Sequence, residues 1–241
     1  MSTDQPLSPE LDAFIRRMPK VELHLHLEGT ITPRTLLEVA ERNGVEIPAR
    51  DEHGVAQLFK YRNFHEFLTV FMALARALVH RQDFEQAAYE LGAQLAAQNI
   101  RYAEVMISPV QYLRRELDLD EVVQGAAGGF ARARQDYGVQ TALAFDFGRQ
   151  FGVDLAWRVL EIAVRNMPAG VVAGSIGGDE PQPLALDAGH DLADQRPLDR
   201  VRLAHHEGAV LHEGTRVGAA PTTGEIPGRP GGRTRPRRRR P

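Results

Sequence analysis

Apolar and polar residues alternate strictly from Val21 to Leu27. Val21, Leu23, Leu25 and Leu27 fall on one side of an extended chain; Glu22, His24 and His26 fall on the other, joined by Glu28 if the strand continues. The pattern predicts a β-strand that turns at Gly29. Ahead of it, Ser8-Pro9-Glu10 predicts a helix with Ser at the cap and Pro in the first turn, running through Phe14 and Ile15 and ending before Pro19. Behind it, Thr32-Pro33 repeats that signal and opens a helix through Leu36, Leu37 and Ala40, closed by Asn43-Gly44. Residues 45–62 carry no period and read as an irregular connection.

Asn63-x-x-Glu66 forms a capping box ahead of the clearest amphipathic stretch: Phe64, Phe67, Leu68, Phe71, Met72, Ala75, Leu78 and Val79. Those phenylalanines could roof a ligand, but a core needs the same stripe, so no site is assigned to them. A second helix is expected from Asp83 to about Asn99, with Phe84, Ala88, Leu91 and Leu95 inward. Ile100 to Ser108 reads as a buried strand ended by Pro109. Asp118-x-x-Glu121 then opens a helix with Val122, Ala126 and Phe130 inside, stopped at Gly138. A third strand over Val139 to Phe145, a helix around Leu155 to Arg165 and a fourth strand over Gly170 to Ile176 follow. Strands alternating with helices at these intervals predict parallel β/α units. Reactive residues of a parallel barrel sit at the C-terminal ends of its strands. His24, His26 and Glu28 after strand one, and Gly178, Asp179 and Glu180 after strand four, are therefore expected on one face.

Composition narrows the chemistry. A chain of 241 residues with 43% hydrophobic and 25% charged residues is ordinary for a globular protein of one barrel-sized domain or two smaller ones. It has no Cys, which excludes disulfides, thiolate metal ligands, thiol nucleophiles and the zinc deaminases that bind their metal through a Cys-x-x-Cys pair. The N-terminus has neither a basic nor an apolar leader segment, and no apolar run approaches membrane-spanning length, so a cytoplasmic protein with no membrane partner is expected. The net charge of -3 conceals a strongly basic ending, Arg229 to Pro241. No aromatic residue follows Trp157. The expected organisation is a partial β/α barrel over residues 1–180 and a low-complexity, irregular tail over 181–241.

Two imidazoles at i and i+2 of one strand project their nitrogens the same way, as part of a metal site requires. With nine His in the chain, the triplet alone carries little weight, but its surroundings add more. The stretch Pro19-Lys20-Val21-Glu22-Leu23-His24-Leu25-His26-Leu27-Glu28-Gly29-Thr30 resembles the first strand of the adenosine deaminase family, zinc-dependent hydrolytic deaminases built on a (β/α)8 barrel. The likeness runs over roughly residues 15–180. It implies the N-terminal half of a TIM-type barrel with about four parallel strands. It also implies Zn2+ held by His24 and His26, and a purine nucleoside or base beside His26, Glu28 and Gly178, the last within the matching Gly178-Asp179-Glu180. The activity it implies is adenosine to inosine plus ammonia. Many members carry Asp where Glu28 stands, so adenine and aminodeoxyfutalosine remain alternative substrates. Glu22 reads as a solvated strand-start carboxylate, and Arg149-Gln150 as a structural pair after strand three.

Other parts of the family's machinery are not written in this sequence: a His-Ala-Gly-Glu segment, a later His and an Asp-Asp pair. His205-His206-Glu207, His212-Glu213 and Gly224-Glu225 echo pieces of them at the wrong spacing. Two histidines alone make a weak zinc site, and four strands do not close an eight-stranded barrel. The expectation is an interrupted, inactive deaminase, with a reading-frame shift near residue 180 and no identifiable catalytic residue. Two other readings stand beside it. One is a metal-binding half-barrel without turnover. The other is a nucleic-acid binder acting through Arg233 to Arg240, disfavoured because the tail has no aromatics to stack on bases. Oligomeric state is not legible.

Overall fold

The computed structural model describes residues 7–177 and 209–210. Helix α1 (Pro9–Arg17) leads into strand β1 (Lys20–His26) and a 3-10 turn (Leu27–Thr30). Four helices follow: α2 (Pro33–Asn43), α3 (Glu52–Leu58), α4 (Phe64–Ala75) and α5 (Arg81–Ala97). Next come β2 (Ile100–Ile107), α6 (Pro109–Leu113), α7 (Leu119–Tyr137), β3 (Gln140–Gly148), α8 (Val153–Arg165) and β4 (Val171–Gly177). The sheet runs β1-β2-β3-β4 with every neighbour parallel, and a two-residue strand β5 (Ala209–Val210) lies antiparallel on β4. Four parallel strands in sequential order, with helices in each connection between them, are the arrangement of the first half of a (β/α)8 barrel, as expected.

The local signals act as anticipated at most helix starts. Ser8 Oγ accepts the Leu11 N–H at 3.3 Å and Thr32 Oγ1 accepts the Thr35 N–H at 3.2 Å, each ahead of a first-turn proline. Gly44 ends α2 with φ 63°, a conformation that a side chain resists. Three departures have physical causes. The stretch read as irregular contains α3, whose cap Asp51 accepts the Gly54 N–H at 2.7 Å; its seven residues bury only Val55, too little to show a period. Pro109 does more than end a strand, because its fixed φ also opens α6. Helix α5 starts two residues before Asp83, because that carboxylate reaches back to the N–H groups of Val79 at 3.0 Å and His80 at 2.8 Å.

Ala103, Val105 and Ile107 of β2 and Leu143 and Phe145 of β3 face the helices. They are buried with Leu91 and Leu95 of α5, Phe130 of α7 and Leu160 of α8, each large side chain contributing about 1.5–3 kcal/mol. Helices α5 and α7 approach so closely that Cβ atoms built on Gly92, Gly125 or Gly129 would overlap Ala133, the Arg81 carbonyl and the Glu85 carbonyl respectively. The opposite edge is open. Among the described residues nothing pairs with the outer edge of β1, and Val21 and Leu23 keep 64% and 56% of their surface exposed, as Phe14 of α1 keeps 56% of its own. No helix among the described residues is long and apolar enough to cross a membrane.

Asp83 fastens α5 to α2. Its fully buried carboxylate also accepts from Arg42 Nη2 at 2.5 Å and Asn43 Nδ2 at 2.6 Å. Burial raises its pKa, but the hydrogen bonds from His80, Val79, Asn43 and Arg42 outweigh that and hold it below the ordinary carboxylate range. A depressed folded-state pKa stabilises above the unfolded value, near 4, and that contribution is lost as pH falls through the folded one. Asp83→Asn is therefore expected to cost about 2–4 kcal/mol at pH 7. The gap to the parent chain should begin to narrow below about pH 4 and close only below the depressed folded-state pKa; urea melts showing the same gap at pH 7 and at about pH 2 would contradict this.

Candidate metal centre

Strand β1 does not keep period two to its end. Glu22 pairs with Ala103 and Leu25 with Val105, so Leu23 and His24 together stand opposite the single residue Glu104. This is a β-bulge, and His24 occupies it with φ 68°. The bulge re-phases the strand. Val21 pairs with Tyr102 and His26 with Met106, two residues four apart on a regular strand, so Val21 and His26 point to the same face. Strict alternation had put them on opposite faces; without the extra residue, His26 would turn toward the helices. The expected continuation through Glu28 is likewise replaced by the 3-10 turn Leu27–Thr30. Gly29 in that turn has ordinary backbone, and a Cβ there would only touch Phe71 at 3.6 Å.

The two imidazoles nevertheless come together. Their ring centroids lie 5.5 Å apart, edge to face, and Phe71 of α4 stands edge-on to His26 at 5.9 Å. A non-glycine residue at positive φ costs about 1–3 kcal/mol and persists where something else requires the side chain. His24→Gly is expected to gain roughly 1 kcal/mol of stability while weakening metal binding; if it proves no more stable than His24→Ala, the bulge is unstrained.

Two carboxylates join the histidines. Asp146, on β3, shares the inward face with Ala142 and Ala144, and its Oδ2 lies 4.0 Å from His26 Nδ1. Burial raises the Asp146 pKa, and positive charge on His26 and His24 draws it back. Glu28 is buried under the turn. Its Oε1 accepts the Ser108 N–H at 2.9 Å and the Tyr112 hydroxyl at 2.7 Å, while Oε2 has no partner. Burial raises the Glu28 pKa against the lowering effect of those hydrogen bonds and of His26, and burial with the Glu28 charge pushes Tyr112 well above the ordinary tyrosine value.

Sequence reading named His24, His26 and Glu28 and missed Asp146, Ser108 and Tyr112. Asp146 was hidden because strand three was expected to end at Phe145, whereas β3 runs on to Gly148; the alternation Phe145-Asp146-Phe147 was the available signal. Gly177 ends β4 beside Asp146, with 3.2 Å between its would-be Cβ and Asp146 Oδ1. Gly178, Asp179, Glu180, the three later His/Glu echoes and Arg233 to Arg240 lie outside the described residues. Arg149 begins a short 3-10 turn after β3 (Arg149–Phe151), and Glu22 is half-buried near the start of β1.

The donor set fits part of a zinc site. Imidazole nitrogens suit Zn2+, and the two rings stand together with their centroids 5.5 Å apart. Among the described residues no group of three or more His, Cys, Asp or Glu side chains is arranged to hold a metal ion, so β1 offers two candidate donors and not a complete set. A cavity of about 630 Å3 lined by Tyr102, Phe130, Arg134, Thr141 and Gly170 lies at the other end of the strands. Because ligands of parallel β/α sheets bind at the C-terminal ends, the histidine end and not this cavity is the candidate site.

Sequential parallel β/α units with an H-x-H pair ending the first strand define the β/α-barrel amidohydrolase class. Within it, this chain belongs to the adenosine deaminase family, whose sequence profile matches residues 19–219 and so continues past residue 180, where the resemblance was expected to stop. An adenine deaminase from Streptomyces coelicolor is 35% identical over 146 residues, covering 61% of this chain and 43% of that protein. An aminodeoxyfutalosine deaminase from Acidothermus cellulolyticus is 30% identical over 174 residues, covering 72% of this chain and 49% of that one. The crystal structure of an amidohydrolase from Burkhoderia ambifaria with bound Zn superposes with a TM-score of 0.64 at 28% identity, covering 74% of this chain and 49% of its own. The chain thus spans about half the length of the curated relatives it matches.

Proposed function

We propose that this chain carries the metal-binding half of a zinc-dependent hydrolase that removes the exocyclic amine of an adenine-type purine. The observation supporting this most directly is the pair of imidazoles at the end of β1, His24 and His26, in a chain of this family. Those two residues would hold the ion. When bound, zinc supplies the Lewis acidity that readies a water for attack near neutral pH. The chain's own groups do the rest. Glu28 Oε2, buried and without a partner, is available to accept an N–H or O–H from a purine lying beside His26. Phe71 keeps the His26 ring from swinging by packing edge-on against it. Gly178, just beyond β4, would let the ring approach the backbone.

Adenine replaces adenosine as the proposed substrate because the relatives described above are named for adenine and aminodeoxyfutalosine. The 241 residues contain no His-Ala-Gly-Glu segment, so no proton shuttle is assigned and no residue is named catalytic. The zinc-loaded chain is expected to bind adenine in preference to adenosine by calorimetry and to release no detectable ammonia from either. Preferential binding of adenosine would overturn the base assignment. Sustained ammonia release would overturn the proposal that these residues are only part of the machinery.

A further inference from the structure

The relation between Asp146 and His26 carries a role that the metal-binding proposal above leaves unassigned. His26 Nδ1 is buried with no hydrogen-bond partner, although its side chain keeps 28% of its surface exposed. The exposed part of the ring is therefore not Nδ1. The nearest carboxylate oxygen to that nitrogen is Asp146 Oδ2 at 4.0 Å, about one ångström beyond a charge-assisted hydrogen bond. Asp146 forms no other ion pair among the described residues. It also has little room to leave: its side chain is 22% exposed, and the backbone of Gly177 stands where a Cβ would press on Oδ1 at 3.2 Å. An imidazole has one N–H and one lone pair when neutral, and the partner of one nitrogen decides which it is. A buried acceptor facing Nδ1 places the proton there and leaves the lone pair on Nε2.

We propose that Asp146 is a positioning residue for His26: it accepts the Nδ1 proton and so fixes the ring orientation and the tautomer in which Nε2 can ligate a divalent cation. The role rests on the metal-binding reading only for its purpose; the tautomer itself belongs to the metal-free chain. The arrangement gives His26 the supporting carboxylate that orients many metal-binding histidines. Here that carboxylate comes from β3, two strands away from the ligands.

The test uses the full chain labelled with 15N-histidine, the His26 signal being assigned by its loss in His26→Gln. In the metal-free chain the His26 proton is expected on Nδ1. Asp146→Ala should move it wholly or partly to Nε2, while Asp146→Asn, whose amide oxygen still accepts, should keep it on Nδ1. In a parallel Co2+ titration, Asp146→Ala should weaken binding about tenfold and Asp146→Asn less, with the visible absorption at saturation unchanged because no ligand is lost. A wild-type His26 protonated on Nε2, or a tautomer indifferent to Asp146→Ala, would overturn the proposal. So would an altered Co2+ spectrum in Asp146→Asn, which would make Asp146 a ligand. A wild-type chain that binds no Co2+ would sink the metal-binding reading instead, and the nitrogen spectra would still decide the role of Asp146.

Discussion

Gly129→Val is expected to lower the melting temperature by about 10 °C, a loss of about 3 kcal/mol in a chain of this size. A Cβ at Gly129 would overlap the Glu85 carbonyl of α5 and lie 2.8 Å from Ala88 Cβ and 2.9 Å from Tyr89 N. Two of those three atoms are backbone, so no rotamer change relieves the clash. Helices α5 and α7 would have to separate, and separation opens the layer that buries Phe84, Ala88 and Ala126. The adjacent glycine provides the control. A Cβ at Gly128 would meet only the Glu85 side chain at 3.9 Å, an ordinary contact. Gly128→Ala should therefore gain up to about 1 kcal/mol from helix propensity. Thermal melts in which the two changes act alike would show that the helices are not in the contact described.

Glu28→Ala is expected to cost about 3 kcal/mol or more, as much as emptying a core position. The substitution leaves the Ser108 N–H and the Tyr112 hydroxyl buried without their acceptor; Glu28 is 1% exposed and Tyr112 0%. Glu28→Gln keeps an acceptor oxygen for both and should lose only about 1 kcal/mol. Tyr112→Phe added to Glu28→Ala should cost less than the sum of the two, because the orphaned hydroxyl is removed with its partner. Additive losses in urea titrations would show that the two groups do not share a bond. This residue thus ties the turn after β1 to the start of α6, and so sets where His26 stands relative to β2 and β3.

The fold was legible wherever a residue acted through its neighbours in sequence. Thr32-Pro33 and Asn43-Gly44 bounded α2 correctly because a cap and a left-handed glycine are local chemistry. Strands β2, β3 and β4 were legible because a parallel strand covered by helices is mostly apolar, and β1 because apolar and polar residues alternate along it. The bulge at His24 was not legible: alternation in Val21 to Leu27 looks perfect, and only pairing with β2 reveals that one residue is extra. Asp146 escaped for a related reason. Strand three was expected to end one residue before it, and a carboxylate there is unremarkable until the third dimension sets it near His26. Ser108 and Tyr112 acquire meaning only through Glu28, 80 and 84 positions earlier in the chain.

Equilibrium dialysis of the metal-free chain against buffered Zn2+ tests the central claim most directly, with His24→Ala and His26→Ala as companions. One zinc bound per chain, with affinity lost at least tenfold in either variant while the far-ultraviolet circular dichroism stays unchanged, is the result expected if the end of β1 is the metal site. Zinc uptake indifferent to both substitutions, or absent from the parent chain, would contradict it.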